Sequence, residues 1–236
     1  MPKHKKSERN LFSHLYPKSS IAEAFRTMRT NLSFAATDQP LKVILVTSAG
    51  PADGKTTIST NLAVVLAQAG MRVLLMDCDL RKPVLHKYFD TNNQHGVTNL
   101  LVQNLEMRDV VRDTPVEGLS LLVSGPIPPN PSELLGSQKM KDILERAAGL
   151  YDMVIVDAPP VLAVTDAAVL APQVDGVILV VKSGETRIDM IKDTKSQLEK
   201  VNAHILGVVL NEVKINSDDY HYYYYYRDKD HSSADS

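Results

Sequence analysis

The side chains best suited to phosphate chemistry lie in one stretch, Thr47-Ser48-Ala49-Gly50-Pro51-Ala52-Asp53-Gly54-Lys55-Thr56-Thr57. Residues 49–56 read A-x-x-x-x-G-K-T, a P-loop with alanine where the first glycine usually stands. The backbone N–H groups of such a loop curl around phosphate oxygens. The helix that follows adds its unpaired N–H groups and the positive end of its dipole. Lys55 can reach the β- and γ-phosphates of a nucleotide, and the Thr56 hydroxyl can bind Mg2+. Gly50, Pro51, Ala52, Asp53, Gly54 and Thr57 complete the cradle, so ATP and Mg2+ are the expected cofactors.

Three acids stand where that site needs them. Asp157 follows the apolar run Met153-Val154-Ile155-Val156, and Asp77 follows Val73-Leu74-Leu75-Met76. In doubly wound sheets ligands sit outside the carboxyl ends of the strands, so both carboxylates should converge on the P-loop. Mg2+ takes hard oxygen ligands and keeps several waters, which Thr56 with Asp77, Asp79 and Asp157 can supply. Asp157 reads as the Walker B type acid. Asp77 and Asp79 are two apart, so in extended backbone both point to one side while Cys78 points away. That suggests one carboxylate for the metal and one near a nucleophile, with Cys78 a small core residue.

The elements that must position these groups follow from periodicity. Apolar runs at 43–46, 73–76, 119–123, 153–156, 176–181 and 205–210 read as buried strands. Helical patterns lie at 20–35, from Thr56 to a stop at Gly70, from a Ser132 cap to about Ala148, near 166–171, and over 187–202. In the first helix Ile21, Phe25, Met28 and Leu32 mark the apolar face, and Ser20 with Glu23 reads as a capping box. Strands alternating with helices specify an α/β, doubly wound, mostly parallel sheet with right-handed crossovers. We divide the chain into an N-terminal segment (1–18), a P-loop domain (19–213) and a tyrosine-rich, flexible C-terminal tail (214–236).

Composition narrows the partners. The chain has 236 residues, 44% of them hydrophobic, enough to bury one full core. A net charge of −2 gives no pull toward nucleic acid, and a single cysteine rules out an intrachain disulfide framework and fits a reducing cytoplasm. No stretch approaches the length of a membrane span and no signal-peptide core is visible, so any work at a membrane requires a partner to hold the protein there. The basic start Met1-Pro2-Lys3-His4-Lys5-Lys6 reads as a solvated end or as weak attraction to anionic lipid or an acidic partner.

With the P-loop present, the tail acquires a meaning. Six of the nine tyrosines, Tyr220, Tyr222, Tyr223, Tyr224, Tyr225 and Tyr226, crowd into seven residues. Alone such a run is a sticky end or a strand seeking a partner; beside a nucleotide site it reads as a substrate. The last strand should end at the P-loop edge, and about a dozen flexible residues span roughly 20 Å, so either the chain's own site or a neighbour's is within reach.

Together TSAGPADGKTT, LLMDCDLRKP, SGPIPPNPSELL, MVIVDAPP, YHYYYYY and the helix segment EAFRTMR resemble the bacterial tyrosine kinases of capsule and exopolysaccharide synthesis, in their cytoplasmic autokinase form. The resemblance covers essentially the whole chain. It implies transfer of the ATP γ-phosphoryl to tail tyrosines, usually between subunits of a ring, an octamer in this family. It also implies that Glu23, Arg26 and Arg29, matching E-x-x-R-x-x-R, lie at the subunit interface, and that Asn211 joins the nucleotide site. Lys55, Asp77, Asp79 and Asp157 become the catalytic set; Asp77 is the first choice to orient or deprotonate the tyrosine and Asp79 stands on the metal side, roles that could be exchanged. The implied partners are a transmembrane adaptor that recruits the cytoplasmic protein to the inner membrane face, a tyrosine phosphatase and other protein substrates. The rival class is a nucleotide switch like the division-site and plasmid-partition ATPases. Those carry a signature lysine where this chain has Gly50, and no tyrosine tail.

Overall fold

The computed structural model describes residues 11–35 and 41–214. The tyrosine run and the basic start lie outside these residues. The chain opens with α1 (Phe12–Leu15) and α2 (Ser20–Ala35), then enters the middle of a sheet as β1 (Val43–Ser48). The P-loop leads into α3 (Lys55–Ala67), β2 (Val73–Asp77), α4 (Leu85–Tyr88), α5 (Val97–Val102) and α6 (Met107–Val110). A two-residue β3 (Arg112–Asp113), β4 (Leu119–Leu122), α7 (Pro131–Leu135), α8 (Gln138–Leu150) and β5 (Met153–Asp157) follow. The rest is α9 (Asp166–Leu170), a 3-10 turn, β6 (Gly176–Lys182), α10 (Ile188–Lys200) and β7 (Ile205–Asn211).

The seven strands lie in the order β3-β4-β2-β5-β1-β6-β7, all parallel except the β3–β4 pair. Every residue of β1, β2 and β5 is buried, because helices cover both faces and leave no wet side for polar alternation. On one face α3 packs across the central strands, and α2 packs on α3. Ile44, Val46, Leu62, Val65, Leu75 and Ile155 belong to that core, while Leu45, Leu74, Leu101, Met140, Leu144 and Leu198 fill the opposite one. Each fully buried aliphatic side chain contributes on the order of 1.5–3 kcal/mol. In register, Asp77 stands directly beside Asp157 on the neighbouring strand.

Local details differ from the sequence expectations for physical reasons. Ser19, one residue earlier than expected, caps α2: its Oγ accepts the Ala22 N–H at 3.1 Å, and Glu23 turns to Arg26. Ala22, Phe25 and Leu32 are the buried residues of α2, whereas Ile21 is 47% exposed. The helix expected from Ser132 to Ala148 is two helices. Asn130 precedes the first, with Pro131 at its start; the break falls at Gly136, where an added Cβ would lie 2.8 Å from a Val169 methyl. Ser137 Oγ then accepts the Met140 N–H and starts the second. The α3 helix begins at Lys55 rather than Thr56 and stops at Ala67.

Candidate nucleotide and phosphotransfer site

The P-loop obtains its shape from two left-handed residues, Ala52 (φ 65°) and Gly54 (φ 94°). No side chain fits at Gly54, since a Cβ there would stand 2.0 Å from the Asn211 amide nitrogen. Asn211 in turn donates to the Asp53 carbonyl at 2.9 Å, fastening the end of β7 to the loop. Asp53 accepts the Gly50 N–H at 2.9 Å and the Thr186 hydroxyl at 2.8 Å. The loop is therefore tied from within and from the ends of β6 and β7. Ser48 Oγ donates to the Gly50 carbonyl at 2.7 Å and Thr47 Oγ1 to that of Pro159 at 2.7 Å, closing the loop onto the β5 end.

At the floor, Lys55 Nζ lies 3.1 Å from Asp79 Oδ2 and 3.7 Å from Asp157 Oδ2. The Thr56 hydroxyl donates to the same Asp157 oxygen at 2.6 Å. Asp157 Oδ1 is buried without a hydrogen-bond partner. Burial alone would weaken the Lys55 ammonium's hold on its proton, but Asp157 and then Asp79 outweigh it, so Lys55 stays charged. Burial pushes the Asp157 carboxyl above the usual carboxylate range. Burial, with the Asp157 charge beside it, pushes Asp77 up to about 8.

Asp77 and Asp79 diverge, because extended backbone stops at Asp77. Asp77 Oδ1 accepts the Asp79 N–H at 3.2 Å, while Oδ2 accepts those of Val84 at 3.2 Å and Leu85 at 3.0 Å. Asp79 Oδ1 takes the Lys82 N–H at 2.9 Å, and its other oxygen faces Lys55. Lys55 thus touches Thr56, Asp79 and Asp157, Thr56 touches Asp157, and Asp77 anchors the segment that follows. Cys78 is fully buried, its thiol pushed well above its usual range by burial.

The donors fit Mg2+: a hydroxyl and carboxylates, all hard oxygens, with the orphaned Asp157 oxygen on the spot. Among the described residues no three acidic, histidine or cysteine side chains form a ready metal cluster. Thr56 and Asp157 are the groups that would hold the ion. When bound, Mg2+ would neutralise charge on the β- and γ-phosphates.

Three site contacts were absent from the sequence reading. Arg81 makes a bidentate pair with the fully buried Asp166, both contacts 2.9 Å, locking the segment after Asp79 to α9. The Tyr88 hydroxyl lies 3.1 Å from Thr57 Oγ1 at the mouth of the P-loop helix. Thr186, already described, braces Asp53. None carries a local signal, since the partners are 85, 31 and 133 residues apart. Glu23, Arg26 and Arg29 sit far from the loop on α2. Arg26 pairs with Glu23 at 2.6 Å and bonds the Pro17 carbonyl, while Arg29 donates to the Val65 carbonyl at 3.0 Å. The SGPIPPNP segment holds its neighbours: Val97 and Thr98 amides donate to the Val123 and Ser124 carbonyls, and Asn93 bonds Ser124 and Gly125. Two surface hollows, one by Gly136 and Val169 and one by Arg72 and Tyr151, lie away from this rim.

A P-loop at the switch point of a doubly wound sheet defines a nucleotide-binding phosphate-transfer protein, and the AAA domain family matches residues 41–208. Tyrosine-protein kinase YwqD of Bacillus subtilis is 44% identical over 208 residues, covering 88% of each chain. The chimerical protein CapA2B2 superposes with a TM-score of 0.84 at 41% identity, over 88% of this chain and 91% of the other. The kinase domain of Escherichia coli tyrosine kinase ETK gives 0.85 at 37% identity, over 88% of this chain and 81% of that domain. The chain belongs to the bacterial tyrosine kinases and is a protein-tyrosine kinase with a P-loop nucleotide site.

Proposed function

We propose that the protein is an autokinase that moves the γ-phosphoryl of Mg2+-bound ATP onto tyrosines of its own tail, Tyr220 and Tyr222 through Tyr226. The phenol oxygen bonds to the γ-phosphorus as the bond to the β-phosphate oxygen breaks; the phenol proton goes to a carboxylate, and ADP leaves. A phenol with a pKa of about 10 is a poor nucleophile at neutral pH, so alignment and positive charge must do most of the work. Lys55 and the loop amides supply that charge, with Gly50, Pro51, Ala52, Asp53, Gly54, Thr56 and Thr57 around the phosphates. Asp77 is the first choice to orient the phenol or, in its ionised form, to take its proton: three backbone N–H groups occupy three of its roughly four acceptor positions and leave one. Asp79 stands on the metal side with Thr56 and Asp157.

The observation that carries this reading is the Asn211–Asp53 bond. It brings the chain's exit from β7 onto the P-loop, nine residues ahead of the first tail tyrosine. Transfer between neighbours in a ring octamer, with Glu23, Arg26 and Arg29 at the interface, rests on the family resemblance, as does a membrane-spanning adaptor that draws the cytoplasmic protein to the inner membrane face. Regulation of capsule or exopolysaccharide synthesis, other protein substrates and reversal by a tyrosine phosphatase belong to the same reading. No helix among the described residues is long and apolar enough to cross a membrane. Each phosphotyrosine adds roughly −1.5 to −2 charges, so a phosphorylated tail is repelled from the acidic site and the ring loosens.

Incubation with ATP and Mg2+, with and without an adaptor peptide, tests the proposal. Phosphotyrosine within 220–226, absent in Lys55→Met, is expected. ADP and phosphate without labelled tyrosine would instead identify a nucleotide switch.

A further inference from the structure

We propose that the open edge of the sheet is where the chain's own tyrosine run rests: residues 220–226 fold back along β7 as an additional antiparallel strand. The docking holds whether or not these tyrosines accept phosphate; only its effect on catalysis rests on the autokinase reading.

Among the described residues β7 pairs with β6 alone, so its other side presents unpaired backbone groups. Natural edge strands are blunted by charge, proline, bulges or great shortness. This edge, Ile-Leu-Gly-Val-Val-Leu-Asn, has no charge and no proline; its one register irregularity lies at the start, between Ile205 and Gly207, and from Gly207 to Asn211 it runs in unbroken register with β6. Val208 and Leu210 on it are 57% and 55% exposed, and Val213 just beyond is 50% exposed. The patch therefore combines free hydrogen-bonding groups with uncovered apolar side chains at the boundary of the described chain.

The chain that continues from this boundary has the complementary properties. Glu212 takes φ 55°, a left-handed residue that swings the backbone out of the strand's line directly after Asn211. The connection 212–219 includes Asn216-Ser217-Asp218-Asp219, residues that favour turns. Residues 220–226 are six tyrosines and one histidine, uncharged apart from histidine and high in strand propensity. A seven-residue run meets a seven-residue edge across an eight-residue link. That link is too short for the crossover of a dozen or more residues that a parallel strand needs, so the added strand is antiparallel.

Direction then matters. The carboxyl end of β7 is at the P-loop, where Asn211 meets Asp53. A strand running back along β7 leads the tyrosines down the edge and away from Lys55. The docked tail is held out of the site and must leave β7 to react, and phosphates on it oppose a return to the apolar edge.

Amide hydrogen exchange of the full chain, first treated with a tyrosine phosphatase, tests the docking. Three proteins are compared: wild type, Tyr224→Pro, and a variant with each of the six tail tyrosines changed to phenylalanine. The amides of 205–211 are expected to exchange about tenfold more slowly in wild type and in the phenylalanine variant than in Tyr224→Pro, at any protein concentration. Equal exchange in wild type and Tyr224→Pro overturns the docking. So does protection that grows with concentration and survives Tyr224→Pro, which marks a second copy on the edge. Phosphotyrosine mass spectrometry on a separate wild-type aliquot, freed of the phosphatase and then incubated with ATP and Mg2+, reads the autokinase separately: no label there together with a protected β7 in the exchange experiment keeps the docking and rejects the autokinase.

Discussion

The middle of the sheet and its β7 edge use the same building plan to opposite ends. At β1, β2 and β5 each strand is buried throughout, and the polar groups at the carboxyl ends are enclosed with nearly every partner supplied. At β7 the strand is half-open, with Val208 and Leu210 facing outward. The centre is rigid enough to hold a lysine among buried carboxylates, which is what stabilising charge in a transition state requires. Among the described residues the edge keeps one side unpaired, a property suited to capture rather than to catalysis.

Substitutions can break or sharpen that contrast. The largest effect is expected from Lys55→Met, which should lower phosphotyrosine formation by about 10²–10³-fold or more, the loss typical for one electrostatic donor at a transition state. Labelling kinetics with saturating ATP measure it. Next is Leu45→Ala beneath the P-loop, expected to cost about 2–5 kcal/mol in denaturant unfolding, against about 1 kcal/mol or less for Val208→Ala. Equal costs at the two positions would erase the distinction between centre and edge. Arg81→Ala leaves the Asp166 carboxylate buried and unpaired. Because Arg81 itself is 38% exposed, solvent softens the loss to about 2–3 kcal/mol, again read by unfolding.

A further effect is on pH dependence. Asp77 binds its proton more tightly folded, at about 8, than unfolded, at about 4. Between these values the native state holds more protons, so this group's contribution is fully present below about 4 and fades as pH rises toward 8. Nucleotide-free protein should lose stability over that window, and Asp77→Asn should flatten the slope. Thermal melts across the window check the sign.

The site was legible wherever neighbours in sequence are neighbours in space. Val43 to Val46, the P-loop and the helix after it follow in chain order, so the phosphate cradle could be read directly. Asp77 and Asp157 could be placed because each ends an apolar run, and parallel strands bring such ends together. The divergence of Asp77 from Asp79 was not legible, since it depends on where extended backbone stops and on amides at Val84 and Leu85. Arg81 with Asp166, Tyr88 with Thr57, and Asp53 with Thr186 are set by tertiary packing, which local pattern does not encode. Ser19 rather than Ser20 as the cap shows the same limit at one-residue scale: both are serines, and the docking of Ala22 and Phe25 on α3 selects the frame.

The chain's lone sulfhydryl, sealed at Cys78 behind the metal-side acids, has a practical corollary. With its thiolate disfavoured and no solvent path to it, Cys78 should stay silent toward maleimides and oxidants while the protein is folded. A cysteine introduced at Val208 or Tyr224 would then be the sole reactive handle, so fluorophores or spin labels could be installed there against a native background that needs no prior mutation.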